Sequence, residues 1–193
     1  MGPSPVLYLV RHGECVHNVE RRIAGQSDSP LTALGRRQAS ENGRLLKVLV
    51  GDLANLDYVS SPLHRAAASM ELLRAAAGLS PEGYRADRRL MEMDFGEDTG
   101  KTYAEIDRGV GRFGAQNWDF VRPGGESLGM LNARVGRFLE SLRRDAVVVS
   151  HAGPLRLIRA YLLGLSRTEA LAYHPPNAGI VRLSKGAEAV LGG

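Results

Sequence analysis

Cysteine is nearly absent from this sequence: Cys15 stands alone among 193 residues. A single thiol excludes an intrachain disulfide and a thiolate zinc cluster. No run of about 18 apolar residues occurs, so no helix is expected to span a membrane. The segment from Met1 to Pro5 lacks a basic stretch leading into a long apolar one, and no secretory signal is expected. Lysine is scarce as well. Of 25 cationic side chains only Lys47, Lys101 and Lys185 are lysines, and the rest are arginines. Arginine suits bidentate capture of phosphate, although a biased nucleotide composition accounts for the same count. Aromatics make up 6% of the chain, and no basic tract is interleaved with them as in nucleic-acid binders. A His-Glu-x-x-His zinc motif is also missing. The expectation is a cytoplasmic protein with no nucleic-acid or membrane partner.

What is present reads as one α/β domain over residues 1–193, with 44% hydrophobic residues, enough for a real core. Apolar runs at residues 6–10 and 146–150 predict buried strands, 57–60 reads as a second short strand, and 180–183 and 187–191 predict two more. A helical turn is expected over 18–23. Thr32 is placed to cap a helix running to Leu49, with Leu34, Leu45 and Leu49 turned inward. Ser61 and Pro62 read as the start of a second helix, Ser127 of a third and Gly153-Pro154 of a fourth. A short extended piece is expected near Arg89-Leu90-Met91, below a lid insertion at about 95–127. Strands alternating with helices predict a three-layer αβα sandwich, its open sheet mostly parallel with an antiparallel edge strand.

Three of these strands end in the same way. The first runs into Arg11-His12-Gly13, the second through Ser61-Pro62 to Arg65, and the one at 146–150 into His151. Parallel strands bring their carboxyl ends to one edge, where open sheets place ligands. Two arginines and two histidines gathered there would repel one another unless an anion sat between them, and a phosphoryl group fits two guanidinium forks. A helix beginning at Gly153 would add free amides. Neutral imidazole is an available nucleophile near pH 7. A leaving alkoxide needs a proton, for which Glu92 is the candidate acid and Asp94 its competitor.

The ordered motifs Arg11-His12-Gly13-Glu14, Asn18, Gly25, Asp28, Pro30-Leu31-Thr32 and Gly35 come first in the chain. Ser61-Pro62-Leu63-His64-Arg65-Ala66, Glu92 with Phe95-Gly96, Gly124-Gly125-Glu126-Ser127 and Ser150-His151-Ala152-Gly153 follow. Together they resemble the histidine phosphatase superfamily, in its phosphoglycerate-mutase-like branch, over roughly residues 5–185. The resemblance implies that His12 becomes phosphohistidine while Arg11, Arg65 and His151 hold the phosphoryl group. Asn18 would assist them, with Gly25, Ala152 and Gly153 also at the substrate. Glu92 would act as acid and then as base toward water. No metal or other cofactor is implied, the partner is a small phosphate ester, and a homodimer is an expectation by resemblance.

Four positions, at three places, depart from the pattern. Asp98-Thr99 stands where many relatives carry Trp-Glu, Ser69 where threonine is usual, and Ala152 where glycine is common. The resemblance leaves open a mutase-type phosphotransferase or a non-catalytic phospho-ligand module, but the short interval between Glu92 and His151 favours a phosphatase. Phe95 stands where mutases have a tyrosine.

Two further patterns compete for attention. Cys15 and Arg21 have the spacing of a cysteine phosphatase loop, although Glu20 within it would repel phosphate. Residues 109–114 spell a dinucleotide fingerprint, yet they follow a polar segment where that motif needs a strand. His17, His64 and His174 read as rim or turn residues. Trp118 and Phe113 read as lid core, and Glu126 as favouring the helix that follows it.

Overall fold

A computed structural model describes residues 5–106 and 115–192. Its sheet comprises β1 (Leu7–Arg11), β2 (Asp57–Ser60), β3 (Arg85–Ala86), β4 (Ala146–Ser150), β5 (Ile180–Ser184) and β6 (Ala187–Leu191) in the order β3-β2-β4-β1-β5-β6. The first four strands in that order are parallel. β5 runs antiparallel to β1, and β6 antiparallel to β5.

Side chains alternate between the two faces of a strand, and this sheet is covered on both. Leu7, Leu9, Ala146 and Val148 join a core with Leu131 and Phe138 of α5 (Leu128–Ser141) and Leu155 and Ile158 of α6 (Ala152–Leu163). Tyr8, Val10, Val147 and Val149 meet Leu46 of α2 (Ala33–Leu49) and Met70 and Leu73 of α3 (His64–Ala77). The αβα sandwich expected from the sequence is therefore the fold observed.

Several local expectations are corrected. The first helical turn, α1, is Val16–Val19, earlier than expected. Thr32 does cap α2, accepting from Gly35 N at 3.0 Å. The buried face of α2 is nevertheless Gly35, Ala39, Asn42, Gly43 and Leu46, while Leu34 and Leu49 are exposed. Small residues turn inward because α2 lies tightly against its neighbours, and only Leu45 of the three expected leucines packs against the core. α3 begins at His64 with no side-chain cap, because Ser61 is engaged elsewhere. α6 begins one residue early, at Ala152.

Between Ile106 and Leu128 the described residues carry a 3-10 turn at Ala115–Asn117, and α4 (Tyr103–Ile106) precedes them. The fingerprint at 109–114 and Phe113 lie outside the described residues. α7 (Arg167–Ala172) was not anticipated. It is closed by a capping box in which Ser166 and Glu169 each accept from the other's backbone amide.

The extended piece near residue 89 is instead a 3-10 turn, Arg88–Leu90, for an electrostatic reason. Asp87 accepts from Arg89 N at 3.0 Å and pairs with Arg85 at 2.6 Å and Arg89 at 2.7 Å. Burial alone would raise its pKa, but the hydrogen bonds and charges of the two arginines overcome this and hold it down to about 2. A carboxylate depressed in the folded state stabilises above its unfolded pKa, and that stability is lost as pH falls from about 4 towards 2. Asp87→Asn should cost about 1–2 kcal/mol at pH 7 and flatten the acid end of the stability curve. Urea unfolding at pH 7 and pH 3 measures both.

Candidate active site

β1 and β4 are in register with Arg11 opposite Ser150, and β2 places Ser60 opposite Val149. Adjacent strands lie about 4.8 Å apart, so the residues that follow these ends emerge side by side. His12, Ser61 and His151 are those residues, and all three are buried. The two imidazole centroids are 5.0 Å apart.

His12 Nδ1 lies 2.7 Å from Gly13 O. A carbonyl only accepts, so Nδ1 carries the proton and Nε2 keeps the lone pair needed for attack. The peptide around His12 is held by three contacts. His12 N donates to Ser150 O at 2.9 Å, Asn177 Nδ2 to His12 O at 2.7 Å, and Gly13 N to Ser69 Oγ at 3.0 Å. Gly13 has no positive φ. Glycine is required there by contact with α2: a Cβ would sit 2.1 Å from Gly35 O.

Arg65 comes from the first turn of α3 and is 1% exposed. Its terminal nitrogens donate to Ser27 O at 2.9 Å and Gly25 O at 2.7 Å, so Gly25 serves by aiming this guanidinium. Ser69, one turn later, donates to Arg65 O at 2.7 Å while accepting from Gly13 N, joining the arginine's helix to the His12 loop. Arg11 donates to Pro175 O at 2.9 Å. His151 Nε2 lies 2.8 Å from Ser61 Oγ, which itself accepts from Leu63 N. Arg11 Nε, Arg65 Nε and His151 Nδ1 are buried with no hydrogen-bond partner among the described residues. A buried donor left unpaired costs ~1–3 kcal/mol, and an anion accepting from it offsets that cost.

Burial, then the charges of Arg65 and Arg11, hold the His12 pKa well below 6.5, against the opposing Gly13 bond. Burial and Arg65 do the same to His151, with His12 and Arg11 adding to it. Both imidazoles are thus neutral at pH 7. The site carries two guanidinium charges, which match a phosphoryl dianion.

Glu92 lines the adjoining cleft, a cavity of about 590 Å³ that Arg11, Ala152 and Gly153 also line. Its Oε1 accepts from Met93 N at 2.9 Å and Gly153 N at 3.1 Å. The amide expected to meet an anion at Gly153 is therefore committed to the carboxylate. A Cβ on Gly153 would stand 2.4 Å from that oxygen. The Glu92 carbonyl accepts from Gln26 Nε2 at 3.1 Å and Arg134 at 3.0 Å. Arg134 in turn pairs with Glu126 at 2.6 Å. Glu126 accordingly supports the Glu92 segment, while Ser127 caps α5, accepting from Met130 N at 3.1 Å. Asp94 is used locally: its carboxylate accepts from Gly96 N at 2.9 Å.

The sequence reading missed Ser61, Ser69, Gln26 and Arg134 as positioning residues. Only Ser69 had a readable signal, the one-turn spacing from Arg65. Asn18 lies on α1, its Oδ1 accepting from Cys15 N at 3.1 Å and Cys15 Sγ at 3.3 Å. Cys15 is fully buried and Arg21 is exposed, so the cysteine-phosphatase loop is not formed.

The histidine phosphatase superfamily (branch 1) model matches residues 7–189. A protein of Salmonella paratyphi C named as a probable phosphoglycerate mutase, GpmB, is 36% identical over 168 residues, covering 82% of this chain and 75% of its own length. Among solved structures, TTHB049 from Thermus thermophilus is 33% identical with a TM-score of 0.71, covering 97% of both chains. The mycobacterial glucosyl-3-phosphoglycerate phosphatase Rv2419c is 30% identical with a TM-score of 0.76, covering 92% of this chain and 89% of its own. With its two strand-end histidines, a buried arginine beside them and a sequence match across nearly its whole length, the chain belongs to branch 1 of the histidine phosphatase superfamily.

Proposed function

We propose that this protein is a metal-independent phosphomonoester hydrolase that works through a phosphohistidine on His12. The observation that carries this reading is the tautomer imposed by Gly13 O, which leaves Nε2 nucleophilic beside Arg11, Arg65 and His151. In the first step Nε2 attacks phosphorus and the bond to the ester oxygen breaks. The electron pair leaves on the alcohol oxygen, which takes a proton from Glu92. In the second step the Glu92 carboxylate takes a proton from water, the new oxygen–phosphorus bond forms, and the phosphorus–Nε2 bond breaks. Inorganic phosphate and neutral His12 result. Arg11, Arg65 and His151 supply the donors that meet phosphoryl charge in both steps, with Asn18 Nδ2 as a further donor, so neither step calls for a metal. The substrate is a small phosphate ester held in the cleft beside Glu92.

Hydrolase is preferred over mutase because only 59 positions separate Glu92 from His151, which makes the lid short, and because Phe95 stands where mutases have a tyrosine. The relatives' names cover both activities, phosphoglycerate mutase and glucosyl-3-phosphoglycerate phosphatase.

The test is phosphate release from p-nitrophenyl phosphate and a phosphometabolite panel with and without EDTA, beside an enolase-coupled assay for conversion of 3- to 2-phosphoglycerate. Phosphate release undiminished by EDTA and faster than isomerisation is expected. Faster isomerisation would make the protein a mutase, loss with EDTA would contradict the metal-free steps, and no turnover at any pH would leave a binding module.

A further inference from the structure

The two tautomers of a neutral histidine differ in which ring nitrogen donates, and for His151 a buried hydroxyl decides between them. His151 Nε2 lies 2.8 Å from Ser61 Oγ, and both residues are 0% exposed, so no solvent reaches the pair. Ser61 is anchored by its own backbone, its amide donating at 3.0 Å to Val149 O on the strand that leads to His151.

A serine hydroxyl offers one hydrogen and two lone pairs. One lone pair of Ser61 Oγ accepts from Leu63 N at 3.3 Å. With the imidazole proton on Nε2, that N–H would take the second lone pair. The hydroxyl hydrogen would then be buried with no acceptor among the described residues, which is costly. With the hydroxyl hydrogen donated to Nε2 instead, Ser61, Leu63 N and Nε2 are all satisfied, and the ring proton stands on Nδ1. That nitrogen is buried and has no partner among the described residues. Its N–H is the donor His151 has left for an oxygen of a phosphoryl group on His12, whose ring centroid is 5.0 Å away.

We infer that Ser61 is a positioning residue that sets the tautomer of His151, holding the proton on Nδ1 so that a neutral ring donates to the phosphoryl group. This rests on the hydrolase reading above and deepens it. A carbonyl fixes His12 as the Nδ1–H form, which frees Nε2 to attack. A hydroxyl fixes His151 in the same form, which occupies Nε2 and leaves Nδ1–H to donate. One tautomer thus serves two opposite roles, because each ring has a different nitrogen engaged by the protein.

Nitrogen-15 NMR of the ligand-free protein, labelled at histidine, reads the tautomer directly. The His151 signals are assigned by their loss in His151→Gln. Wild type at pH 7 should show a protonated Nδ1 and a bare Nε2. In Ser61→Ala those signals should move to a mixture of both tautomers. Binding of orthovanadate, which mimics the phosphoryl transition state, should weaken about 10–100-fold, the range for a charge-assisted hydrogen bond. The kcat/KM for p-nitrophenyl phosphate should fall by a similar factor. Ser61→Thr keeps the hydroxyl and should retain the wild-type tautomer, with vanadate affinity within about threefold.

A Ser61→Ala protein whose His151 stays wholly in the Nδ1–H form would make the serine merely structural and overturn the inference, whatever its activity. So would wild-type His151 protonated on Nε2, a result that needs no variant to fold. The expected tautomers in a wild-type protein that does not turn over p-nitrophenyl phosphate would remove the hydrolase reading and leave the role of Ser61 standing.

Discussion

His12→Ala should abolish turnover, leaving less than about 10⁻⁴ of the wild-type kcat, as removal of a nucleophile does elsewhere, while Cys15→Ser should turn over normally. The contrast separates the two chemistries that the sequence allows, since both residues precede α1 within four positions. His12 Nε2 is made nucleophilic by the bond of Nδ1 to Gly13 O. Cys15 is buried against Asn18, and serine in its place is a better residue for the N-cap of α1.

The pH profile adds an independent check. Burial and the two arginines favour neutral His12, so the acid limb of kcat/KM assigned to it should lie below pH 6.5. The same depression has a stability consequence. Below pH 6.5 the unfolded chain binds protons that folded His12 and His151 do not, so stability should fall with acid there and be fully present above it. Phosphate, by bringing negative charge to the site, should reduce that loss. Acid-labile, base-stable labelling by radioactive substrate that persists in Cys15→Ser and vanishes in His12→Ala would identify the nucleophile. Label retained in His12→Ala would defeat the assignment.

How far the sequence alone reached depended on whether an interaction was local. Strands β1 and β4 were readable because their side chains are buried on both faces, so they stand out as apolar runs, and β2 shows a shorter pair, Tyr58-Val59, between polar ends. The polar residues that end β1 and follow β4, Arg11 and His151, then mark one sheet edge by topology alone. Burial on α2 was not readable. A leucine stripe is the usual sign of an inner face, but here the tight approach at Gly35 and Gly43 reverses it. Ser61 was misread for a similar reason. Ser-Pro is a sound helix-start signal, yet a histidine 90 positions away claims the hydroxyl. Glu126 shows the same limit, because its partner Arg134 binds the Glu92 carbonyl across the cleft wall and no sequence spacing reports that. Residues that carry chemistry were legible from their types at strand ends, whereas those that aim them depend on contacts between distant segments.

The second large effect concerns Glu92, where the two proposed steps make different demands. Glu92→Gln preserves the shape and the carbonyl oxygen that Met93 N and Gly153 N hold, so the segment should stay in place. It removes both the acid of the first step and the base of the second. For an alkyl phosphate the leaving alkoxide needs a proton, and kcat/KM should fall about 10²–10⁴-fold. p-Nitrophenolate leaves without one, so formation of the phosphohistidine from p-nitrophenyl phosphate should be little impaired. Hydrolysis of that intermediate still needs a base for water and should become the slow step.

Rapid mixing of this variant with p-nitrophenyl phosphate should therefore show a burst of nitrophenol, close to one per active site, followed by slow turnover. Phosphorylated His12 should accumulate during the slow phase. An equal loss on both substrates with no burst would mean that Glu92 only holds the cleft together. A variant with wild-type rates would pass the proton role to another group, and Asp94, already bonded to Gly96 N, is poorly placed to take it.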